Sequence, residues 1–547
     1  MPRRRLLMPL IAVLCFATPT MQAAGSSPFA IRGIKGLWWD GIQKYRMALP
    51  WIASHGMNFM MFCYSSFPAS GARWRTDYTA TEQHDMGSLA IRARRYGVQL
   101  CLSFNPGLWS DPPLQYSSER DMALAIRKIR LVHRLGIDWF AICLDDINRE
   151  MQPMDRERFP DIASAQIHFV NGVYAEMRRI GPGMRLIFCP SAYTSDDALR
   201  HRSYIEAVGR GLDPRILVFW TGPVVCSPTI TSADARQFGA MIRRKPLLWD
   251  NYPVNDMLPW RPLLAPVRGR SADLGSAVAG YMANPMREWH ASKLPLASLA
   301  EYLRSPRTYD YRVAAERAAK EWPVGDRPAI RALQALYGGA FLGEPAYPPT
   351  PVAAATTDIR RKAAELRRAQ ELLAARPALA PLLADVAPTL MEDLAGLERR
   401  SRNRRRSAPL IAVGDDFSGG AGKLFGYTKY KRSVNYIYAA PTGHSRMTVE
   451  FWLDGRIPSA AAVDLNARND DAGTHPSLTI TLNGAALLRG PSPFRSDRFE
   501  LRSLPVPAGA LRPGANVLEI RSDDPSGVVG MPPWFMVSRA ELIPLHW

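Results

Sequence analysis

The feature that most constrains the fold of this chain is a series of eight short apolar runs in its first 290 residues. The runs span residues 31–38, 57–63, 98–104, 137–144, 185–189, 216–220, 245–250 and 277–284. Runs of this length are typical of buried strands, and several are separated by stretches with apolar residues at every third or fourth position, as in amphipathic helices. Eight buried strands alternating with helices predict a (β/α)8 barrel of the TIM type. A doubly wound open sheet is the alternative, but no glycine-rich nucleotide-binding loop follows the first run.

The composition of the chain changes twice after these runs. Residues 304–410 are rich in Ala, Leu and Arg with helical periodicity, which predicts an α-helical domain. Residues 414–547 contain short alternating runs broken by Gly, Pro, Asn and Asp, which predict a β-sandwich. The sequence therefore predicts a multidomain protein with its barrel at residues 28–303, and by analogy with appended domains of carbohydrate-active enzymes the sandwich is a candidate carbohydrate-binding domain.

The N-terminal segment has the layout of a signal peptide. Three arginines precede an apolar run of about a dozen residues, and small residues follow near Ala23 and Ala24. The run is shorter than the roughly 20 apolar residues of a membrane span. We therefore expect residues 1–24 to be removed from an exported protein, periplasmic or secreted, that is not transmembrane.

The cysteines indicate the state of the thiols, and the basic residues indicate which partners the chain could bind. Five cysteines remain beyond the predicted signal peptide, each in or beside an apolar run and none with zinc-ligand spacing, so we expect buried free thiols. The formal net charge is +19, and the run Arg399–Arg406 is either a solvated linker end or a contact for anionic glycans or cell surfaces. Predicted export and the lack of a binding motif disfavour nucleic acid as a partner.

Two adjacent aspartates, Asp145 and Asp146, end the fourth apolar run. Active-site residues of such barrels lie at the C-terminal ends of the strands, and both carboxylates can reach one cleft where a strand turns into its loop. Two carboxylates held close together resist double ionisation, so one should retain its proton to higher pH. The pair could then supply an acid beside an anion for glycosidic cleavage. A helix cap, a salt-bridged loop or, with Glu150, a cation site are simpler interpretations.

Other predicted strand ends also carry aromatic and polar side chains. They are Trp38, Trp39, Asn105, Trp109, Tyr193, Trp220, Trp249, Asn251, Asp256 and Asn284. Aromatic faces and directed hydrogen-bonding groups around one cleft suit a sugar ring, although any one of these tryptophans alone would be read as core packing. Neighbouring aspartates approach a sugar from the same side, so a nucleophile would come from elsewhere, and a 2-acetamido group on the substrate could supply it.

Five segments carry a resemblance to a known family. In chain order, WFAICLDDI, LIFCPSAY, FWTGPVVCSPTIT, PLLWDNYPVND and GYMANPM resemble the catalytic barrel of glycoside hydrolase family 84, over roughly residues 30–320. This family comprises β-N-acetylglucosaminidases, including protein O-GlcNAc hydrolases. The resemblance implies retaining, substrate-assisted hydrolysis of β-linked N-acetylglucosamine in a glycan or glycoconjugate, through an oxazoline and with neither a cofactor nor a metal.

The same resemblance implies a role for each matching residue. Asp145 would orient the acetamido N–H, and Asp146 would protonate the leaving oxygen and then activate water. The remaining positions would bind the sugar: Tyr193 through the acetamido oxygen, Val225 and Trp249 around its methyl group, Asn251, Asp256 and Asn284 through hydroxyls, and Gly36 through its backbone.

The first two predicted strands depart from the pattern of the family. Lys35 stands where the family has glutamate, and Ser65 stands where it has a lysine that contacts a sugar hydroxyl. Loss of one charge-assisted hydrogen bond weakens binding by about 1.5–3 kcal/mol. Three alternatives therefore stay open: a glycan-binding protein with reduced or no turnover, an endo-acting hydrolase of an N-acetylhexosamine polysaccharide, and a metal-dependent hydrolase that uses Asp145, Asp146 and Glu150.

Overall fold

The structure is a computed structural model, and it describes residues 27–36, 42–107, 110, 112–147, 149–255, 261–338, 358–403, 410–420, 433–470, 472–527 and 532–546. The predicted signal peptide lies outside these residues. Within them, eight parallel strands form a closed barrel in sequence order. The strands are β1 (Ile31–Gly36), β2 (Phe59–Phe62), β3 (Gln99–Phe104), β4 (Trp139–Cys143), β5 (Arg185–Cys189), β6 (Leu217–Trp220), β7 (Leu247–Pro253) and β8 (Gly280–Asn284). Each coincides with one of the eight apolar runs, so the predicted (β/α)8 barrel is confirmed.

Helices connect the barrel strands and cover their outer face. They are α1 (Gln43–Ser54), α2 (Ala80–Arg95), α3 (Glu119–Arg134), α4 (Pro153–Arg158), α5 (Ile162–Ile180), α6 (Ser195–Arg200), α7 (Arg202–Gly211), α8 (Ser232–Ile242) and α9 (Trp289–Arg304). Helix α2 begins at a capping box, in which Thr79 accepts from the Glu82 N–H and the Glu82 carboxylate accepts from the Thr79 N–H. The local sequence thus sets where this helix begins.

The barrel strands are buried on both faces, as expected for a parallel sheet covered by helices. One set of side chains fills the barrel interior, including Met61, Cys101, Cys143 and Met282. The other set packs outward against the helices. Close packing is extreme at Gly33, where an added Cβ would lie 1.8 Å from the carbonyl oxygen of Phe59.

In the part of the chain that the structure describes, four further helices follow the barrel. They are α10 (Tyr311–Lys320), α11 (Arg327–Tyr337), α12 (Ile359–Ala374) and α13 (Ala380–Asn403). Their apolar residues share one core with the barrel and with the C-terminal strands. Arg261, in the segment after β7, forms a buried ion pair with Asp393 of α13 at 3.3 Å, and the Tyr337 hydroxyl donates to the same carboxylate. Buried polar contacts as well as apolar ones therefore join the helices to the barrel.

The described residues of the C-terminal part form two antiparallel sheets. Strands β10 (Ser418–Gly419), β12 (Arg446–Leu453), β17 (Gly514–Ser522), β14 (Ser477–Leu482) and β15 (Ala485–Pro491) form one sheet in that order. Strands β11 (Asn435–Tyr438), β18 (Trp534–His546), β13 (Ala460–Asn469) and β16 (Glu500–Pro505) form the other, and β9 (Ile411–Val413) also pairs with β18. Residues of both sheets, such as Ile480 and Val463, meet in one apolar core, which confirms the β-sandwich. The predicted domain boundaries stay predictions.

The structure describes five cysteines and part of the basic run Arg399–Arg406. Cys63, Cys101, Cys143 and Cys189 are buried free thiols, as expected, whereas Cys226 is only half-buried because it lies in the loop after β6 rather than in a strand. Of the run Arg399–Arg406, the backbone is helical as far as residue 403, and residues 404–406 lie outside the described part of the chain. Among the helices that the structure describes, none combines the length and apolar character of a membrane span.

Candidate active site

The paired aspartates lie at the C-terminal end of β4, and they face different surroundings. Asp145 is 6% exposed, whereas the next residue, Asp146, is exposed and has φ of 53°. Asp adopts this left-handed conformation more readily than most residues. Asp145 contacts Tyr64, a member of the barrel-interior core, while Asp146 lines an open cavity. The turn therefore presents one carboxylate to the barrel mouth and the other to the cavity.

Four neighbours hold or influence Asp145. The Tyr64 hydroxyl donates to its Oδ2 at 3.0 Å, and the Asn105 amide donates to its backbone carbonyl at 3.3 Å. Its Oδ1 is buried and has no hydrogen-bond partner among the described residues. Burial raises the pKa of Asp145 to about 6, while the charge of Lys35 lowers it, the charge of Asp146 raises it and the Tyr64 hydrogen bond lowers it. Asp145 is thus a desolvated carboxyl group with one oxygen still able to accept a hydrogen.

Tyr193 connects the second aspartate to β5. It follows that strand, and its hydroxyl donates to Asp146 Oδ1 at 2.9 Å. Burial first, and then the charges of Asp146 and Asp145, hold the pKa of Tyr193 well above its usual value. The phenol therefore stays protonated, and it can donate to Asp146 or to another acceptor in the cleft.

A cavity of about 300 Å³ opens beside Asp146. Its lining residues are Asp146, Ile147, Arg149, Ser191, Tyr193, Thr194, Asp196, Asp197, Arg200, Val224 and Val225. Arg149 donates to the Ser191 carbonyl at 2.6 Å and forms an ion pair with Asp197, which fixes the polar wall. Val225, whose side chain is 44% exposed, supplies an apolar surface to the same cavity.

Asparagines at the ends of β7 and β8 form a hydrogen-bonded row. Asn284 donates to Asn251 at 3.0 Å, and Asn251 donates to the Val225 carbonyl at 2.8 Å. The Asn284 Oδ1 and the indole Nε1 of Trp249 are buried and have no hydrogen-bond partner within the described ranges. Buried polar groups are nearly always hydrogen-bonded in folded proteins, so unpartnered ones at strand ends are suited to binding a polar ligand.

The two departures from the family pattern lie at this same end of the barrel. Lys35 is 2% exposed, and its Nζ lies 3.5 Å from the centroid of the Trp249 ring and 5.3 Å from that of Tyr64. Ser65 donates to the Cys63 sulfur at 3.0 Å, so its hydroxyl turns back toward β2. A cation is therefore present in the barrel mouth, but it comes from β1.

One residue expected at the cleft lies elsewhere, and others are not described. Trp220 is fully buried on the outer face of β6, where its indole donates to Ser195 and its ring stacks on Phe238. The alternation of side chains along a strand sends Trp220 outward because Phe219 points into the barrel. Trp38, Trp39, Trp109 and Asp256 fall outside the described residues.

Two positions have contacts that sequence reasoning missed. Gly36 is buried at the end of β1, and its carbonyl accepts the Tyr45 hydroxyl at 2.6 Å. Tyr64 was not singled out, although it directly follows the second apolar run, where the other candidate residues follow theirs. Its place directly after an apolar run was the sequence signal that could have identified Tyr64.

Among the residues described, no group of three or more His, Cys, Asp or Glu side chains could hold a metal ion.

The barrel region of this chain is similar to known proteins. The β-N-acetylglucosaminidase family matches residues 30–337, more than half of the chain. Protein O-GlcNAcases of Rattus norvegicus and Mus musculus are each 31% identical over 235 residues, which cover 42% of this chain and 25% of theirs. The match thus spans about a quarter of the length of those relatives.

Two solved structures share the fold. An O-GlcNAc hydrolase mutant of Thermobaculum terrenum has a TM-score of 0.61 at 24% identity, over 69% of this chain and 84% of that one. CpGH84B has a TM-score of 0.58 at 20% identity, over 68% of each chain. At these identities the likeness concerns the fold, and the family follows from the match over residues 30–337. This chain belongs to the β-N-acetylglucosaminidase family, glycoside hydrolase family 84.

Proposed function

We propose that this protein hydrolyses β-linked N-acetylglucosaminides with retention of configuration, using the 2-acetamido group of the substrate as the nucleophile. The observation that carries the proposal is the asymmetry of the aspartate pair. Asp145 has a buried Oδ1 with no partner in the described part of the chain, whereas Asp146 is exposed to the cavity beside it. One carboxyl group is thus placed to hold a donor from the sugar, and the other to exchange protons at the glycosidic oxygen.

In the proposed first step, Asp145 binds the acetamido group. Its Oδ2 already accepts from Tyr64, so its Oδ1 is the atom that would accept the acetamido N–H. This hydrogen bond turns the acetamido carbonyl oxygen toward the anomeric carbon. Holding an internal nucleophile in place removes much of the entropic barrier of a bimolecular attack.

Asp146 would transfer the protons. As the carbonyl oxygen bonds to the anomeric carbon and the glycosidic bond breaks, Asp146 donates its proton to the leaving oxygen. The sugar becomes a protonated oxazoline (an oxazolinium ion), whose N–H stays hydrogen-bonded to the Asp145 carboxylate. The Asp146 carboxylate then removes a proton from water, whose oxygen attacks the anomeric carbon and reopens the oxazoline. Asp146 is thereby reprotonated, and attack on opposite faces in the two steps restores the original configuration.

The remaining strand ends would hold the sugar. Asn251 and Asn284 form a preorganised amide row in which Asn284 Oδ1 is free to accept from a hydroxyl group. Tyr193 would exchange its bond to Asp146 for one to the acetamido oxygen, while Val225 and Trp249 would enclose the methyl group. Donors and acceptors fixed before binding cost little reorganisation during the reaction.

The substrate class follows from the family and its relatives. The rat and mouse relatives are named protein O-GlcNAcases. We propose that this chain likewise acts on N-acetylglucosamine in β-linkage to a glycan or a glycoconjugate. Its N-terminal arginines and apolar run further support export to the periplasm or medium. Cell fractionation tests the proposed export. Detection of the full-length chain in the cytoplasm alone would refute it.

The experiment measures release of 4-methylumbelliferone from its β-N-acetylglucosaminide by the chain without residues 1–24. Asp146→Asn should lower kcat/KM by about 10²- to 10⁴-fold because proton transfer is lost. Asp196→Asn is the matched control, since Asp196 is an exposed aspartate on the wall of the same cavity. A chelator should leave the rate unchanged, whereas loss of the rate on chelation would favour the metal-dependent alternative.

Substrates with fluorinated acetamido groups test the internal nucleophile. Each fluorine withdraws electrons from the carbonyl oxygen, so kcat/KM should fall steadily from acetyl to trifluoroacetyl. A rate indifferent to fluorination would refute substrate assistance. Binding of N-acetylglucosamine without turnover by the unmutated chain would instead favour a glycan-binding protein, with the changes at Lys35 and Ser65 as its structural origin.

A further inference from the structure

Lys35 is a buried cation that the proposed mechanism does not use. Its side chain is almost fully buried, and the ammonium lies against the faces of Trp249 and Tyr64. No hydrogen-bond acceptor for Nζ is found within the described ranges. Lysine is rarely buried to this extent, because its charge loses hydration. Cation–π contact with the two rings compensates part of that cost.

The ammonium is linked to Asp145 through a shared neighbour. Tyr64 receives the ammonium on its ring and donates its hydroxyl to Asp145 Oδ2. Lys35 also opposes the effect of burial on Asp145, since its positive charge favours the carboxylate over the neutral acid. Lys35 and Asp145 thus act on each other across the barrel mouth, from β1 and β4.

We propose that Lys35 is a positioning residue for the hydrolysis, which keeps Asp145 as an oriented carboxylate so that its Oδ1 can accept the acetamido N–H. This inference rests on the proposed function. It would explain why β1 carries a lysine at position 35, where the family pattern has a glutamate. A negative charge there would disfavour the Asp145 carboxylate, whereas the ammonium favours it.

Other titratable groups also face Asp145. They are Tyr64 after β2, Cys143 on β4, Asp146 in the same turn, and Cys189 and Tyr193 at the end of β5. Burial raises the pKa of both thiols and both phenols, so these four stay neutral near pH 7. Within this set, the interactions with Lys35 and Asp146 therefore act on the Asp145 carboxyl group in opposite directions, Lys35 favouring the carboxylate and Asp146 the neutral acid.

The test compares Lys35→Met, which removes the charge at similar volume, with Lys35→Arg, which keeps it. The pH profile of kcat/KM is measured with the 4-methylumbelliferyl substrate. Lys35→Met should move the acid limb upward by about one pH unit or more. Lys35→Arg should keep the limb at the position of the unmutated protein, even if tighter packing lowers its rate.

Lys128→Met is the matched control. Lys128 is another buried lysine, 5% exposed, with its Nζ 4.3 Å from the Tyr78 ring centroid and hydrogen-bonded to the Ala69 carbonyl. It is not among the charges that shift the pKa of Asp145. Its removal should lower the melting temperature without moving the limb. An equal loss of rate at every pH in Lys35→Met would show a merely structural role and overturn the proposal.

A second readout does not depend on turnover. The folded pKa of Asp145, about 6, lies above the value of about 3.9 in unfolded chains, so ionisation of Asp145 lowers stability as pH rises through this window. Lys35→Met should extend the fall of the melting temperature to higher pH, and Asp145→Asn should abolish the difference. If the unmutated chain hydrolyses no N-acetylglucosaminide, the proposed function fails, yet these curves still test the coupling. Identical curves for Lys35→Met and the unmutated chain would refute it.

Discussion

Tyr64→Phe removes one hydroxyl group and, with it, the hydrogen bond to Asp145 Oδ2. That bond is 3.0 Å long and buried, and it favours the carboxylate over the neutral acid. A hydrogen bond to a charged group contributes about 1.5–3 kcal/mol. At 1.36 kcal/mol per pH unit, its loss should raise the pKa of Asp145 from about 6 by roughly 1–2 units.

The shift has a defined effect on the rate. At pH 6.5 the ionised fraction of Asp145 should fall from about three-quarters to between about a quarter and a thirtieth. If only the carboxylate can accept the acetamido N–H, kcat/KM should decrease by about 3- to 25-fold at this pH. Loss of the hydrogen-bond donor raises the pKa of Asp145, so the acid limb of the profile moves to higher pH. The loss of kcat/KM therefore becomes smaller as pH rises.

The assay is the pH profile of kcat/KM with the 4-methylumbelliferyl substrate. Tyr252→Phe is the control, because the Tyr252 hydroxyl is also buried and donates to a backbone group, the Ala265 carbonyl, at 2.7 Å. It should cost stability and leave the limb in place. A Tyr64→Phe profile whose acid limb coincides with that of the unmutated protein would refute the assignment of this limb to Asp145.

Three further predictions concern the packing around the site. Arg270→Met breaks the ion pair with Asp250, in which both side chains are 1% exposed, and should lower the free energy of unfolding by about 3–5 kcal/mol in denaturant titrations. Asn284→Ala removes the donor to Asn251 and a buried acceptor, and a loss of about 1–3 kcal/mol should lower kcat/KM by roughly 5- to 150-fold. Gly33→Ala places a methyl group against a backbone carbonyl of β2, so circular dichroism should show loss of the folded barrel.

The Arg270 and Gly33 variants each have a control in the same chain. Arg215→Met breaks an ion pair with Asp213 in which the arginine is exposed and the aspartate half-buried, and it should change the unfolding midpoint far less. Gly183→Ala meets no atom within 4 Å and should fold normally. Equal destabilisation by the Arg270 and Arg215 variants, or a folded Gly33→Ala barrel, would contradict the packing described. For Asn284→Ala, an unchanged kcat/KM would exclude a role in holding the sugar.

The barrel could be predicted from the sequence because parallel strands buried on both faces must be apolar throughout. The eight runs therefore coincide with β1 to β8, and the motifs at their ends identified the family. The position of the aspartate pair was predictable for the same reason, since a charge that directly follows a buried run can lie only at the strand end. The half-exposure of Cys226 could not be predicted, because the residues of a loop show no periodic pattern of burial.

The sequence by itself determined the architecture, the family and the strand ends where a site could form. Only the tertiary structure decided that Asp145 rather than Asp146 is buried, that Tyr64 and Lys35 act on it, and that Trp220 packs outward. These properties depend on burial and charge contributed by β1, β2 and β4, which are distant in the chain and meet only when the barrel closes. A linear pattern records the type of each side chain, whereas solvation and electrostatic coupling arise from neighbours that folding brings together.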